Sequence, residues 1–238
     1  MYEKFANVYD ELMYDFDYDE WARQVERVIR ERLPDAKQGV DLACGSGNFT
    51  IRLASAGFRM IGSDLSPDML RKAKEKSKGL PITYLCRDLN CAEFTHPVDF
   101  MTAMCDAVNY CVDGVNFAGL AKGLKKGGLL IFDISTTRHL SETLGNNFFF
   151  DDGEEVTYLW QNSFSDGLCT MDVSFFALQD DGLYERFDER HVLRAYSVEE
   201  LRSALEPYFD VEIFDESLMQ APSADAERIH FVCTRKAF

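Results

Sequence analysis

Three aspartates stand at the ends of three short apolar runs: Asp41 in GVDLA, Asp64 in MIGSD and Asp88 in YLCRD. The first opens a loop of small residues, DLACGSG, and sets the spacing acidic-x-small-x-Gly-x-Gly through Asp41, Ala43, Gly45 and Gly47. A loop this bare lets a ligand lie almost on the backbone. A dinucleotide fingerprint asks for a third glycine, and this chain has Thr50 there. A P-loop is excluded because no Gly-Lys-Ser/Thr follows. The spacing suits a nucleoside carrying an amino-acid tail. The glycines admit the ligand, Cys44 offers its backbone, and Asp41 can orient the donors around an ammonium group. Asp64 can accept from both ribose hydroxyls, which fits a dinucleotide equally well. Asp88 can accept from an exocyclic adenine amine, with Leu89 against the ring. Helix capping is the competing role for Asp64 and for Asp88.

Acids reach one site only if parallel strands deliver them side by side, and the chain has that rhythm. Gly39–Ala43, Phe58–Ser63, Pro81–Cys86, Val98–Cys105 and Leu129–Ile134 read as strands. The last two are continuously apolar, as strands buried on both faces are. Helices are expected over 48–56, 66–78 and 115–125. The second opens with Ser66 and Pro67, and the third closes on Lys125-Lys126-Gly127-Gly128. Two more helices precede them, ending at Pro34. Strand alternating with helix predicts an α/β, doubly wound, mostly parallel sheet, with ligands at its carboxyl edge. After Ile134 the pattern changes. Residues 155–162, 170–179 and 184–196 read as three long strands joined by Ser165-Asp166-Gly167 and Asp180-Asp181-Gly182, which are hairpin turns. An inserted antiparallel β-sheet over 140–196 is expected, in a domain made of 1–135 and 197–238. Ser197 and Glu200 form a capping box for a helix over 198–206. Residues 211–214 and 229–234 complete a seven-stranded sheet.

The formal net charge of the 238 residues is −16, which argues against a surface built to neutralise phosphates. The opening MYEKFANVYDELMY has no basic and apolar leader pattern, and no run reaches membrane-spanning length. The cysteines contain no Cys-x-x-Cys pair and fall mostly in apolar runs, so reduced thiols in a cytoplasmic protein, and no metal site, are expected.

DLACGSGNFT, GSDLSPDML, CRDLN, FMTAMCDAVNY and KKGGLLIFDI, taken in order, resemble the successive motifs of class I S-adenosylmethionine-dependent methyltransferases over roughly residues 38–135. The opening YEKFANVYDELM, the GNNFF segment and LYERFDERHVLRAYS extend the resemblance to a bacterial small-molecule group. That group is similar to sugar N,N-dimethyltransferases and glycine N-methyltransferase-like enzymes. The resemblance implies a Rossmann-like fold and S-adenosyl-L-methionine as methyl donor, with S-adenosyl-L-homocysteine as product. It implies methyl transfer to an N or O atom of a small acceptor by direct displacement. Leu65, Met69 and Cys105 join the cofactor contacts; Tyr9 and Tyr14 lie on helices that resemble segments folding over the cofactor, which nominates Tyr9 as a cofactor contact and Tyr14 as a substrate contact, with core packing as the competing role. The fourth-strand end is where the family's substrate-facing groups lie, which nominates Asp106, Asn109 and Tyr110 as catalytic candidates. Capping competes for Asp106. The Asn/Asp-Pro-Pro-aromatic motif of N-methylating nucleic-acid enzymes is missing here. His139, near the cleft rim, and Arg194 and Tyr196, two apart on one strand, are candidate substrate contacts; a solvated face competes for the last two. An RNA or protein methyltransferase and a non-catalytic cofactor-binding module are the alternatives. Monomer and dimer stay open.

Overall fold

A computed structural model describes residues 2–91 and 96–237. The chain opens with α1 (Tyr2–Leu12) and α2 (Tyr18–Arg32), the latter capped by Asp17, whose carboxylate accepts from Glu20 N at 2.8 Å. Strand and helix then alternate: β1 (Gln38–Leu42), α3 (Asn48–Ser55), β2 (Arg59–Asp64), α4 (Pro67–Lys76), β3 (Ile82–Cys86), β4 (Val98–Ala103), α5 (Phe117–Gly123) and β5 (Leu124–Ser135). A separate run follows, β6 (Phe148–Asp152), β7 (Val156–Ser165), β8 (Leu168–Leu178) and β9 (Tyr184–Arg194). The chain closes with α6 (Val198–Leu205), β10 (Phe209–Phe214) and β11 (Arg228–Arg235).

The main sheet has the order β10-β11-β5-β4-β1-β2-β3; β1 to β5 run parallel and β11 is antiparallel to both β5 and β10. Residues alternate between its two faces, as the pleat requires. Leu130, Phe132 and Ile134 of β5 pack with Phe117, Leu120, Leu201 and Leu205 of α5 and α6. Leu129 and Ile131 pack on the other face with Val25, Ile29, Phe49 and Leu53 of α2 and α3. Burial on both faces is the physical reason for their largely apolar runs, interrupted by Asp99 and Thr102 in β4 and Asp133 in β5.

Helix α5 is shorter than the expected 115–125. Its Asn116 cap accepts from Gly119 N at 2.9 Å, and β5 begins at Leu124. The Lys-Lys-Gly-Gly segment is therefore strand rather than helix end. Val98 pairs Leu124 but Phe100 pairs Leu129, so the register slips there, and Lys125 Nζ reaches the Asp99 carboxylate at 2.6 Å.

The second sheet has four strands in the order β6-β7-β8-β9, one more than the three expected. The extra strand, FFFDD, lacks the alternation that marks a half-buried strand and lies at the sheet edge. Asp166 and Gly167, both left-handed with φ of 54° and 76°, join β7 to β8 in a two-residue hairpin. The inner face presents Val173, Phe175 and Ala177 to Phe5, Val8 and Leu12 of α1. Further along, Cys169, Met171 and Leu193 pack on Leu140 of the short π-helical turn His139–Thr143. Among the described residues no helix is long and apolar enough to cross a membrane.

Candidate active site

The carboxyl ends of β4, β1, β2 and β3 lie side by side and open into one cavity of about 400 Å³. Tyr9, Asp41, Ala43, Cys44, Gly45, Asp64, Leu65, Met69, Asp88, Leu89, Cys105 and Tyr110, all expected from sequence, line it.

Asp41 is buried beneath the loop, with its two oxygens held by the hydroxyls of Thr50 at 2.5 Å and Thr102 at 2.8 Å. Burial pushes its pKa up to about 6 against those two hydrogen bonds. Asp64 reaches back from the end of β2. One oxygen accepts from Gly45 N and the other from Ser66 N, both at 2.8 Å, so it fixes the loop and the start of α4 together. Two of its roughly four acceptor sites are left for a ligand. Burial holds its carboxyl above the usual range. Asp88 accepts from Asn90 N at 2.6 Å, capping a single turn at Leu89–Cys91. The capping roles of Asp64 and Asp88 are thus present in the geometry, alongside their free acceptor sites.

The two loop glycines differ in task. Gly45, at φ 54°, has nothing within 4 Å of where a Cβ would stand, which leaves the loop backbone open. Gly47, at φ 81°, does not line the cavity; a Cβ there would sit 2.9 Å from that of Ala73, so it lets α3 start against α4.

Helix α1 is tied to this loop. The Asp10 carboxylate accepts from Ser46 Oγ at 2.6 Å, Asn48 Nδ2 at 2.9 Å and Lys76 Nζ at 2.6 Å. It places Phe5 and Tyr9 over the cavity, with the Tyr9 hydroxyl 3.3 Å from that of Tyr18. Burial raises the Tyr9 phenol well above its ordinary value and that of Tyr18 to about 12.

The remaining expected positions are elsewhere. Cys105 and Asp106 are consecutive left-handed residues, φ 59° and 65°, and this turns the Asp106 side chain away from the cavity. It accepts from Ser135 Oγ at 2.9 Å and pairs with Arg228 at 2.5 Å. Arg228 also contacts the fully buried Asp133, whose two oxygens accept from the backbone N–H groups of Cys105 at 2.7 Å and Asp106 at 3.2 Å. Burial raises the Asp133 carboxyl while Arg228 pulls it down. Burial opposes the charge on Arg228, but Asp133 and Asp106 outweigh it and raise its pKa. Asn109 is fully buried. It donates to Ser135 O at 3.1 Å and Arg194 O at 2.9 Å and accepts from Ser135 N at 3.0 Å, while its own carbonyl accepts from Arg194 N at 2.8 Å. It fastens β9 to the end of β5.

Tyr14 lies past the end of α1 and is 75% exposed. His139 Nδ1 faces Glu227 at 3.2 Å, outside the cavity. Arg194 donates to Val112 O at 3.1 Å and pairs with Glu200, and the Tyr196 hydroxyl donates to Cys111 O. Neither lines the cavity: Tyr196 lies past the end of β9, buried in the main core, and for Arg194 the reason is parity. On β9 it is Glu189, His191 and Leu193 that face inward, and Arg194 falls on the alternate face. His191 lines the cavity and is not expected from the sequence, because both faces of β9 carry charge. Phe5, Tyr18, Ser46, Asn48, Phe49, Ser66, Arg87, Asn90, Met104, Ala107, Cys111, Val112 and Asp113 also line it and had not been singled out.

The set of acceptors fits S-adenosylmethionine. It offers an ionisable acid for an ammonium group, an acid with spare acceptor sites for a ribose, a third acid for an adenine amine, and a bare loop between them. Comparisons with known proteins agree. A methyltransferase-domain family model matches residues 40–128. The chain is 36% identical to the putative methyltransferase YqeM of Bacillus subtilis (strain 168), over 97% of this chain and 96% of that one. It superposes with a TM-score of 0.90 on the crystal structure of an S-adenosylmethionine-dependent methyltransferase from Clostridium acetobutylicum, at 34% identity and 99% of each chain. An S-adenosylmethionine-bound amino pentose methyltransferase from Micromonospora echinaspora shares the fold, with a TM-score of 0.77 at 19% identity, over 96% of this chain and 97% of that one.

Proposed function

Because the chain belongs to the S-adenosylmethionine-dependent methyltransferases, we propose that it moves a methyl group to an N or O atom of a small cytoplasmic molecule by direct in-line displacement. The observation that carries this reading is the single cavity joining the three strand-end acids to an aromatic chamber built by α1, the loop after β4 and β9. When bound, the cofactor supplies an activated methyl on a sulfonium, and no thiol nucleophile such as Cys44 is called for. The chain's own residues bind and orient. Asp41 holds the ammonium, Asp64 the ribose diol and Asp88 the adenine amine, with Leu65, Met69 and Leu89 as apolar contacts. The four-stranded insert, within residues 140–196, closes the acceptor side, and α1 closes the cofactor side, both excluding water from the transfer. Alignment of this kind contributes up to ~7–11 kcal/mol in favourable cases. Free thiols at all seven cysteines suit a reducing compartment.

Calorimetry tests the cofactor assignment. S-adenosylhomocysteine should bind with 1:1 stoichiometry and NAD(P) should give no heat; the reverse result overturns it. Transfer of labelled methyl to a metabolite pool then tests the acceptor class.

The acidity of Asp41 adds a pH signature. Its folded pKa of about 6 lies above the ordinary aspartate value of 3.8, so the protein without ligand holds this proton more tightly than the unfolded chain does. The stability it contributes is fully present below the unfolded pKa and is lost as pH rises through about 6. That loss is of order 3 kcal/mol, at 1.36 kcal/mol per unit. A bound ammonium reverses the preference. Affinity for S-adenosylhomocysteine should therefore rise with pH from 5 to 7, by up to about tenfold per unit below the folded pKa. Equal dissociation constants at pH 5 and 7 would remove Asp41 from the ammonium site.

A further inference from the structure

His191 is the ionisable side chain that β9 turns into the cavity, and its neighbours leave one ring nitrogen unused. Its Nδ1 lies 3.3 Å from the Tyr110 hydroxyl, and the two rings stand nearly perpendicular at 5.9 Å. Phe5 packs against the same imidazole at 5.4 Å. His191 is 9% exposed, and among the described residues no hydrogen-bond partner meets its Nε2. Both rings line the cavity together with Cys105, the backbone turn at the end of β4.

We propose that His191, oriented by Tyr110, takes the proton that the methyl acceptor loses, so that the reacting atom is a neutral hydroxyl or amine bearing hydrogen, and not a carboxylate. The proposal rests on the methyltransferase reading and deepens it. Nδ1–H donates to the Tyr110 oxygen, and this fixes the tautomer with its lone pair on Nε2. The acceptor's lone pair forms the new bond to the methyl carbon. The carbon–sulfur bond breaks, and its electron pair stays on sulfur. The acceptor's proton passes to Nε2. The positive charge of the sulfonium thus ends on the imidazolium, whose Nδ1–H keeps its bond to Tyr110, and the proton later leaves to water.

Burial lowers the His191 pKa, so the ring is neutral and ready to accept at neutral pH. The titratable groups lining the cavity with it are Tyr9 and Tyr18 of the N-terminal helices, the strand-end acids Asp41, Asp64 and Asp88, Arg87, the thiols of Cys44, Cys105 and Cys111, and Tyr110 and Asp113 after β4; Glu189 lies two residues back on its own strand face, and β8 presents Met171 opposite.

The test is an imidazole titration by NMR on the full chain labelled with ¹⁵N-histidine, with the His191 signal assigned by its loss in His191→Asn. Two ligands are compared: S-adenosylhomocysteine, uncharged at the transfer position, and sinefungin, which carries an amine where the methyl stands. The Nδ1–H tautomer is expected in both, with His191 titrating below the ordinary histidine range. A further fall of about one unit is expected with sinefungin, from a like charge within ~4–6 Å. In Tyr110→Phe the fixed tautomer should be lost in both complexes. An Nε2–H tautomer, or the same titration in both complexes, overturns the proposal. If neither ligand binds, the cofactor reading fails instead, and the tautomer in the empty protein still decides the pair.

Discussion

Asp64→Ala should weaken S-adenosylhomocysteine binding by a factor between roughly 10² and 10⁴, since two hydrogen bonds to a charged acceptor contribute about 1.5–3 kcal/mol each. The geometry adds a second cost. The same carboxylate anchors the backbone N–H groups of Gly45 and Ser66, so its loss frees the bare loop as well as removing the proposed ribose acceptor. Asp64→Asn separates the two. Its amide oxygen can still take one of those backbone donors, so it should recover part of the loop order but little of the affinity. Calorimetry with circular dichroism on the same preparations reads both effects. An unchanged dissociation constant for Asp64→Ala would leave Asp64 as a cap for α4 and nothing more.

Arg228→Met should lower the unfolding free energy by about 3–5 kcal/mol, the loss typical when one partner of a buried ion pair is removed. Asp133 is fully buried and Arg228 is its cation. With the guanidinium gone, Asp133 must stay charged in the interior or take up a proton. Urea denaturation reads the loss. Adding Asp133→Asn to Arg228→Met removes the stranded charge while keeping an acceptor for the N–H groups of Cys105 and Asp106, so part of the stability should return. If the double variant is as unstable as the sum of its parts, the cost lies in lost packing and not in the unpaired carboxylate.

The parts of this site that were legible in the sequence are those set by a strand and the residues directly after it. Asp41, Asp64 and Asp88 each end up at a strand terminus because each follows an apolar run, and the parallel sheet brings those ends together. The illegible parts are long-range or turn on backbone geometry. Nothing near Asp106 announces Arg228, 122 residues away, and nothing near Ser46 announces Asp10 on the first helix. The left-handed pair Cys105–Asp106 is encoded by no glycine, yet it decides that Asp106 faces β11 and not the cavity. On β9 the choice between Arg194 and His191 came down to one residue of parity, which the pattern YERFDERHVLR does not settle because both faces of the strand carry charge. The edge strand Phe148–Asp152 escaped for the opposite reason: its three phenylalanines in a row have no period at all.

The attachment of the second sheet has a consequence for how such a protein can change over generations. The side chain that ties β9 to β5 belongs to Asn109, and its partners are the backbones of Ser135 and Arg194. A bond to backbone does not depend on which residue supplies it. Side-chain changes at 135 and 194 that keep the backbone N–H therefore leave these particular bonds in place, while a change at Asn109 removes them. Change is cheaper in the walls of the proposed acceptor chamber than at Asn109, so a lineage built this way can trade acceptors without having to reinvent its scaffold.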